Sequence, residues 1–228
     1  MLDMKIIVLL ALLSVLSTKN VVIIGDSRMV DFAHRTLGIP YTGYAKNGLS
    51  SYIIGYNAGS FGGHKIKVIA QTGAGFPHFK DPEEKVTEAV HTILKSSESG
   101  TVVLMCLGVN HLVAEGTFQY YKSLAEHYRK LKFYATTVVG ISKEFERTHT
   151  YITNKMIKQF NIDLKKKVRA LGLKNFGYKD FLYKKDPTLI YNSDLGYITL
   201  NVETDAHDGL HFHKKEGEKL VSAMLTKI

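Results

Sequence analysis

Short strand candidates, two of them continuous apolar runs, separated by stretches of helical period, are the feature that most narrows the fold. Val21-Val22-Ile23-Ile24 is the first, followed by Lys65 to Ala70, Val102 to Leu107, Phe133 to Val139 and Asn175 to Tyr178. A strand with one wet face alternates apolar and polar residues, whereas a run without alternation fits a strand covered on both faces, as in a parallel sheet. Between the runs lie helical patterns: Met29 to about Leu37; a stretch with Val86, Ala89, Val90, Ile93 and Leu94 on one face; and one marked by Phe118, Tyr121, Leu124, Ala125 and Tyr128. Further helices are predicted from about Tyr151 to Leu171, ended by Gly172, and from about Lys214 to Leu225 with Leu220, Ala223 and Met224 inward. Asp81-Pro82-Glu83-Glu84 supplies helix-start chemistry before the second of these. Strands alternating with helices predict an α/β fold with a mostly parallel sheet and helices on both faces. Tyr41 to Gly63 and Asp186 to Glu203 have no strong period and are expected to be irregular.

The 228 residues suit one domain, and nothing in them reads as a repeat or an interdomain linker. Lys5 followed by Ile6 to Leu16 has the length of a signal-peptide apolar core, too short to cross a bilayer, with Ser17 as a cleavage point. The expectation is therefore a signal segment over 1–17, a domain over 18–228, a secreted or cell-surface address and no stable membrane insertion. A net charge of +9 raises the question of anionic partners. The lysines are dispersed, without an Arg-rich arm or an aromatic–basic signature, so a solvated basic face is expected and no nucleic-acid partner. The single cysteine, Cys106, lies in an apolar strand run and reads as a small buried hydrophobe rather than a nucleophile.

In an open parallel sheet, ligands bind beyond the carboxyl ends of the strands. The residues there are Gly25-Asp26-Ser27, Gln71-Thr72-Gly73-Ala74-Gly75 and Gly108-Val109-Asn110, joined near the end of the chain by Asp208-Gly209-Leu210-His211. A serine at a strand-to-helix turn exposes its hydroxyl beside helix N-terminal amides that can hold an oxyanion, although a helix cap alone would account for it. A serine hydroxyl needs a base and a histidine needs an orienter, and an Asp three residues before a His can serve; a surface turn would look the same. The Asn110 amide and the Gly73 N–H can donate to an oxyanion, yet both residue types also suit plain turns.

Taken in order, Gly25-Asp26-Ser27, a glycine after the second strand, Gly108-Val109-Asn110 and Asp208-Gly209-Leu210-His211 resemble the four blocks of the SGNH (GDSL-type) hydrolase family, small bacterial secreted members above all. The resemblance extends from Gly25 to His211. It implies a three-layer α/β/α flavodoxin-like sandwich with a mostly parallel five-stranded sheet, and hydrolysis of carboxylic esters, with O-acetyl groups on carbohydrate or cell-wall glycan as the favoured substrates. By matching position, Ser27 would be the nucleophile, His211 the base and Asp208 its orienter. Ser27 N–H, Gly73 N–H and Asn110 would form the oxyanion hole, with Gly75 as an alternative donor to Gly73. No metal or organic cofactor is implied. The chain departs from the family at His111, where an Asp usually follows the Asn. Alternatives from other classes are a non-catalytic glycan-binding surface protein and an acyltransferase using the same triad.

Arg28 is a candidate contact to a bound acyl or sugar group, although an exposed helix arginine is the plainer expectation. Tyr41, Tyr44, Tyr52 and Tyr56 are candidates for a sugar-stacking lip. His207, His211 and His213 with Asp205 and Asp208 are close enough in sequence to suggest a metal site, although His211 already has a role in the triad. No Gly-x-Gly-x-x-Gly or P-loop follows the first strand, which disfavours a nucleotide-binding flavodoxin type.

Overall fold

The computed structural model describes residues 18–45, 48, 50–55, 59–141, 143–180, 191–192, 197–198, 210–211, 214–226 and 228. The signal-like segment 1–17 lies outside them, as do Asp205, His207, Asp208, His213 and Tyr56.

The strands are β1 (Asn20–Gly25), β2 (Gly43–Tyr44), β3 (Ser51–Gly55), β4 (Ser60–Phe61), β5 (His64–Gln71), β6 (Val102–Cys106), β7 (Lys132–Thr136), β8 (Phe176–Lys179), β9 (Tyr191–Asn192) and β10 (Tyr197–Ile198). The helices are α1 (Ser27–Arg35), α2 (Lys85–Ser96), α3 (Ala114–His127), α4 (Lys143–Thr148), α5 (Asn154–Leu171) and α6 (Lys214–Leu225). The sheet runs β2-β3-β5-β1-β6-β7-β8, with β4 also on β5. Its five strands β5-β1-β6-β7-β8 are mutually parallel, the flavodoxin-like order.

Strand β1 shows why the apolar runs are unbroken. Val22 and Ile24 join one core with Val103, Met105 and Phe133, covered by α2, α3 and α5 through Val90, Tyr121, Leu124 and Leu164. Val21 and Ile23 face the other way, joining Val68, Leu104, Phe32, Leu220 and Val221 under α1 and α6. Both faces of the strand are dry, so every position favours an apolar side chain.

Several expectations are corrected. Tyr41 to Gly63 is not one irregular loop: β2, β3 and β4 form an antiparallel flap on β5. Asp81 does not cap α2. Its Oδ1 accepts from Glu83 N in the preceding turn, and the helix begins at Lys85 after Glu84, whose side chain makes no capping bond. Within Asp186 to Glu203, the described residues pair as the antiparallel β9–β10. The short α4 has no counterpart in the sequence pattern, and the long helix starts at Asn154, capped by the Thr153 hydroxyl, rather than at Tyr151. Gly172 does end it, in the left-handed conformation with φ 66°.

Candidate active site

The turn from β1 into α1 is tight because position 25 is glycine. A Cβ there would lie 2.2 Å from Met29 Cγ, so any larger residue would push the helix off the strand end. Asp26 then caps α1, its carboxylate accepting from Arg28 N at 3.1 Å and from the Val109 amide. That second bond ties the β1 exit to the β6 exit. Asp26 is buried, and burial pushes its pKa up to about 6 against the lowering pull of the Arg28 charge, the two amides and His211.

Ser27 follows as the first residue of α1 and is buried apart from a 5% exposed fraction. Its Oγ lies 2.8 Å from His211 Nε2. With the proton on Nδ1, Nε2 accepts from the hydroxyl, the arrangement a nucleophile and its base require. Asp208, the expected Nδ1 partner, lies outside the described residues. The Ser27 N–H makes no hydrogen bond among the described residues and belongs to the first turn of a helix, where amides point outward along the positive end of the dipole.

The other strand ends sit level with this turn, since Gly25 pairs with Ala70 on β5 and with Cys106 on β6. Past β5, Gly73 has φ 69°, which favours glycine, and its N–H has no partner among the described residues. The Gly75 N–H donates to His78 Nδ1 at 3.2 Å. Of the two glycines, Gly73 is thus the one with an uncommitted amide. Past β6, Asn110 is exposed and donates one amide hydrogen to Ala74 O at 3.2 Å, leaving a second donor. His111 stacks edge-on against Phe76 at 5.1 Å between ring centres and sits against Gly75, where a Cβ would meet its Cβ at 2.5 Å. The ring that replaces the family's acid is therefore packed into the loop that carries Gly73.

Arg28 is corrected. It is neither an exposed helix arginine nor free to meet a substrate: it is 4% exposed, and its guanidinium donates to Leu210 O at 2.9 Å, Val139 O at 2.7 Å and Gly140 O at 3.1 Å. Cys106 is partly buried, and desolvation pushes its thiol to about 12, so it stays neutral and unreactive at ordinary pH. Tyr41 and Tyr44 are exposed as a lip would need, but Tyr41 stacks on His34 at 4.5 Å and Tyr52 packs beside Gly43. Among the described residues, no group of three or more His, Cys, Asp or Glu could hold a metal, and no helix is long and apolar enough to cross a membrane.

Sequence reasoning missed the frame behind the site. Asn154 and Asn161 are buried on α5. Asn161 bonds both Val138 N and Val138 O, at 2.9 Å each, and Asn154 bonds Ile141 N and Ile141 O. The segment leaving β7 is thus held from one side by two asparagines and from the other by Arg28. The seven-residue spacing of the asparagines, two helical turns on one face, is a signal the sequence did contain.

No family model and no curated protein matches the chain. Solved structures do. A Streptococcus pneumonia protein provisionally described as a platelet activating factor superposes with a TM-score of 0.61 at 13% identity, over 99% of each chain. The lipase/acylhydrolase from Enterococcus faecalis gives 0.52 at 13% identity, over 92% of this chain and 95% of that one. The aryl esterase of M. Smegmatis gives 0.53 at 10% identity, over 92% and 98%. At these identities the likeness is one of fold.

Proposed function

We propose that this chain, which carries the fold of the SGNH-type acylhydrolases, is a serine esterase acting through a covalent acyl-serine. The observation that carries the reading is the 2.8 Å contact between Ser27 Oγ and His211 Nε2, made across 184 positions of sequence at the carboxyl end of the central strand. Ser27 Oγ attacks the ester carbonyl carbon while its proton passes to His211 Nε2. The carbonyl oxygen becomes an oxyanion, held by the N–H groups of Ser27 and Gly73 and the side-chain amide of Asn110. As the carbon–oxygen bond to the alcohol breaks, His211 returns the proton to the leaving oxygen. Water, deprotonated by His211, then releases the acid and regenerates Ser27. Asp208 is the group assigned to hold the imidazole in the Nδ1–H tautomer. No step calls for a metal or organic cofactor.

For substrate we propose small acyl esters, O-acetyl groups on carbohydrate or cell-wall glycan in particular, met outside the cytoplasm. The support is the resemblance to the SGNH family and the apolar leader-like run before Ser17. The test is hydrolysis of p-nitrophenyl acetate by the full chain beside Ser27→Ala. Loss of at least about 10³-fold in kcat in the variant is expected. Equal rates in both proteins would overturn the reading in favour of a non-catalytic glycan-binding protein. Acyl transfer to an added sugar in preference to water would turn it to a transferase.

A further inference from the structure

Arg28 breaks a local rule. It stands in the first turn of α1, where the helix dipole disfavours a cation, and it is 4% exposed. Burying a charge there is costly unless its donors are satisfied. Such a violation in an otherwise consistent segment marks a position kept for something other than stability.

Its donors reach three carbonyls on two pieces of chain. Two adjacent ones, Val139 O and Gly140 O, belong to the segment that Asn154 and Asn161 grip from behind. That end of the guanidinium is bolted to a fixed wall. From Nε a third bond runs to Leu210 O, 182 positions away, on the residue whose carbonyl leads into His211. The carbonyl carbon of Leu210 is bonded to the backbone nitrogen of His211, so fixing that peptide plane restricts where the imidazole can swing. The next residue along from Arg28 toward the N-terminus is Ser27 itself. One planar cation therefore spans the nucleophile's helix, the β7 exit and the base's loop.

We infer that Arg28 is the positioning residue for His211, holding the base at hydrogen-bonding distance from Ser27 through the Leu210 carbonyl. It touches neither reacting atom. The task suits arginine and not lysine. A guanidinium presents its N–H groups along fixed, divergent directions and reaches two neighbouring carbonyls and a third at once, whereas an ammonium presents a single nitrogen. This inference rests on the esterase reading for its kinetic consequence but not for its geometry.

The experiment uses the full chain and Arg28→Lys, with Arg35→Lys as the control substitution at the far end of the same helix. Two readouts are taken. The first is the His211 imidazole in 15N–1H NMR. In Arg28→Lys its ring signals are expected to shift and broaden while those of His34, on the same helix, stay in place. His211 signals identical to the native protein's would overturn the inference whether or not the chain proves to be an esterase. The second is p-nitrophenyl acetate kinetics. Arg28→Lys is expected to lose about 10–100-fold in kcat with KM changed less than about threefold, because misplaced catalytic groups cost rate without costing binding. Arg35→Lys should match the native enzyme. Unaltered kcat in folded Arg28→Lys, or a loss confined to KM, would overturn it. Absence of activity in the native protein would sink the esterase reading alone, leaving the NMR result to decide this one.

Discussion

The two ends of the central sheet differ in kind. At the amino ends of β1, β5 and β6 an open cleft of about 440 Å3 is lined by Asn20, Lys65, Lys67, Ser96, Glu98 and Thr101. It is roomy, yet its polar contacts are those of a surface: Asn20 donates to exposed Glu98, and Lys65 is exposed. Near the carboxyl ends a cavity of about 20 Å3, room for about one water, lies between Asp26, Arg28, Thr136, Val139, Leu220 and Met224, beside the Ser27 turn rather than in front of it. There the polar groups are cross-linked, with Asp26, Ser27 and Arg28 buried: Asp26 to Val109, Asn110 to Ala74, Arg28 to Leu210, Ser27 to His211. Cavity size and the convergence of polar groups thus point to opposite ends of the sheet. The esterase reading follows the second, because burying polar groups on one turn costs free energy unless hydrogen bonds offset it, and such clusters are candidates for functional sites.

Substitutions at each end can break or sharpen this contrast. The largest further effect is expected for Asn110→Ala, which removes the side-chain amide proposed to hold the oxyanion while leaving Ser27 and His211 intact. A fall in kcat of about 10²–10³ on p-nitrophenyl acetate is expected, and a native rate would place Asn110 outside the reaction.

An intermediate effect belongs to Asp26. Its carboxyl titrates near 6 in the folded chain against an ordinary 3.8. The folded state then holds this proton more tightly than the unfolded one, so below about pH 4 the group is neutral in both and exacts nothing. As pH rises from about 4 to 6 it disfavours folding by an amount on the order of 3 kcal/mol. Asp26→Asn keeps an acceptor for Arg28 N and Val109 N without that charge. Urea unfolding of the two proteins is expected to show the Asp26→Asn variant gaining stability relative to the native chain by about 2–3 kcal/mol between pH 4 and pH 7. A difference independent of pH would mean that the carboxylate is ionised as easily in the fold as outside it.

The smallest effect is expected at the opposite end. Glu98→Gln leaves Asn20 an acceptor for its hydrogen bond and should change stability by less than about 0.5 kcal/mol and kcat not at all. Loss of activity there would make the open cleft part of the working site.

The sequence announced some parts of this molecule much more clearly than others. Strands β1 and β6 and helices α2 and α6 were legible because burial on both faces, or on one helical stripe, leaves a pattern in adjacent residues. Val86, Ala89, Val90, Ile93 and Leu94 are all buried as the spacing predicts. The flap β2–β4 was not legible, since Gly43, Ser51, Gly55 and Ser60 are poor strand formers, and β3 and β4 pair with β5 while β2 pairs with β3. Ser27 and His211 were nameable from motif order. The direction of Arg28 was not, because an arginine two residues into a helix ordinarily points to water, and its acceptors among the described residues lie at positions 139, 140 and 210, which no local pattern connects to it.

The bond between Ser27 and His211 joins positions 184 apart. During synthesis the serine's strand and turn emerge long before the histidine does, and nearly every strand of the sheet is made in the interval. On the esterase reading, a nascent chain therefore carries its nucleophile without its base, chemically silent until late. Closing so long a loop is slow relative to forming helices and neighbouring strand pairs. Ester cleavage by this chain would accordingly report completion of the whole molecule rather than folding of any one part.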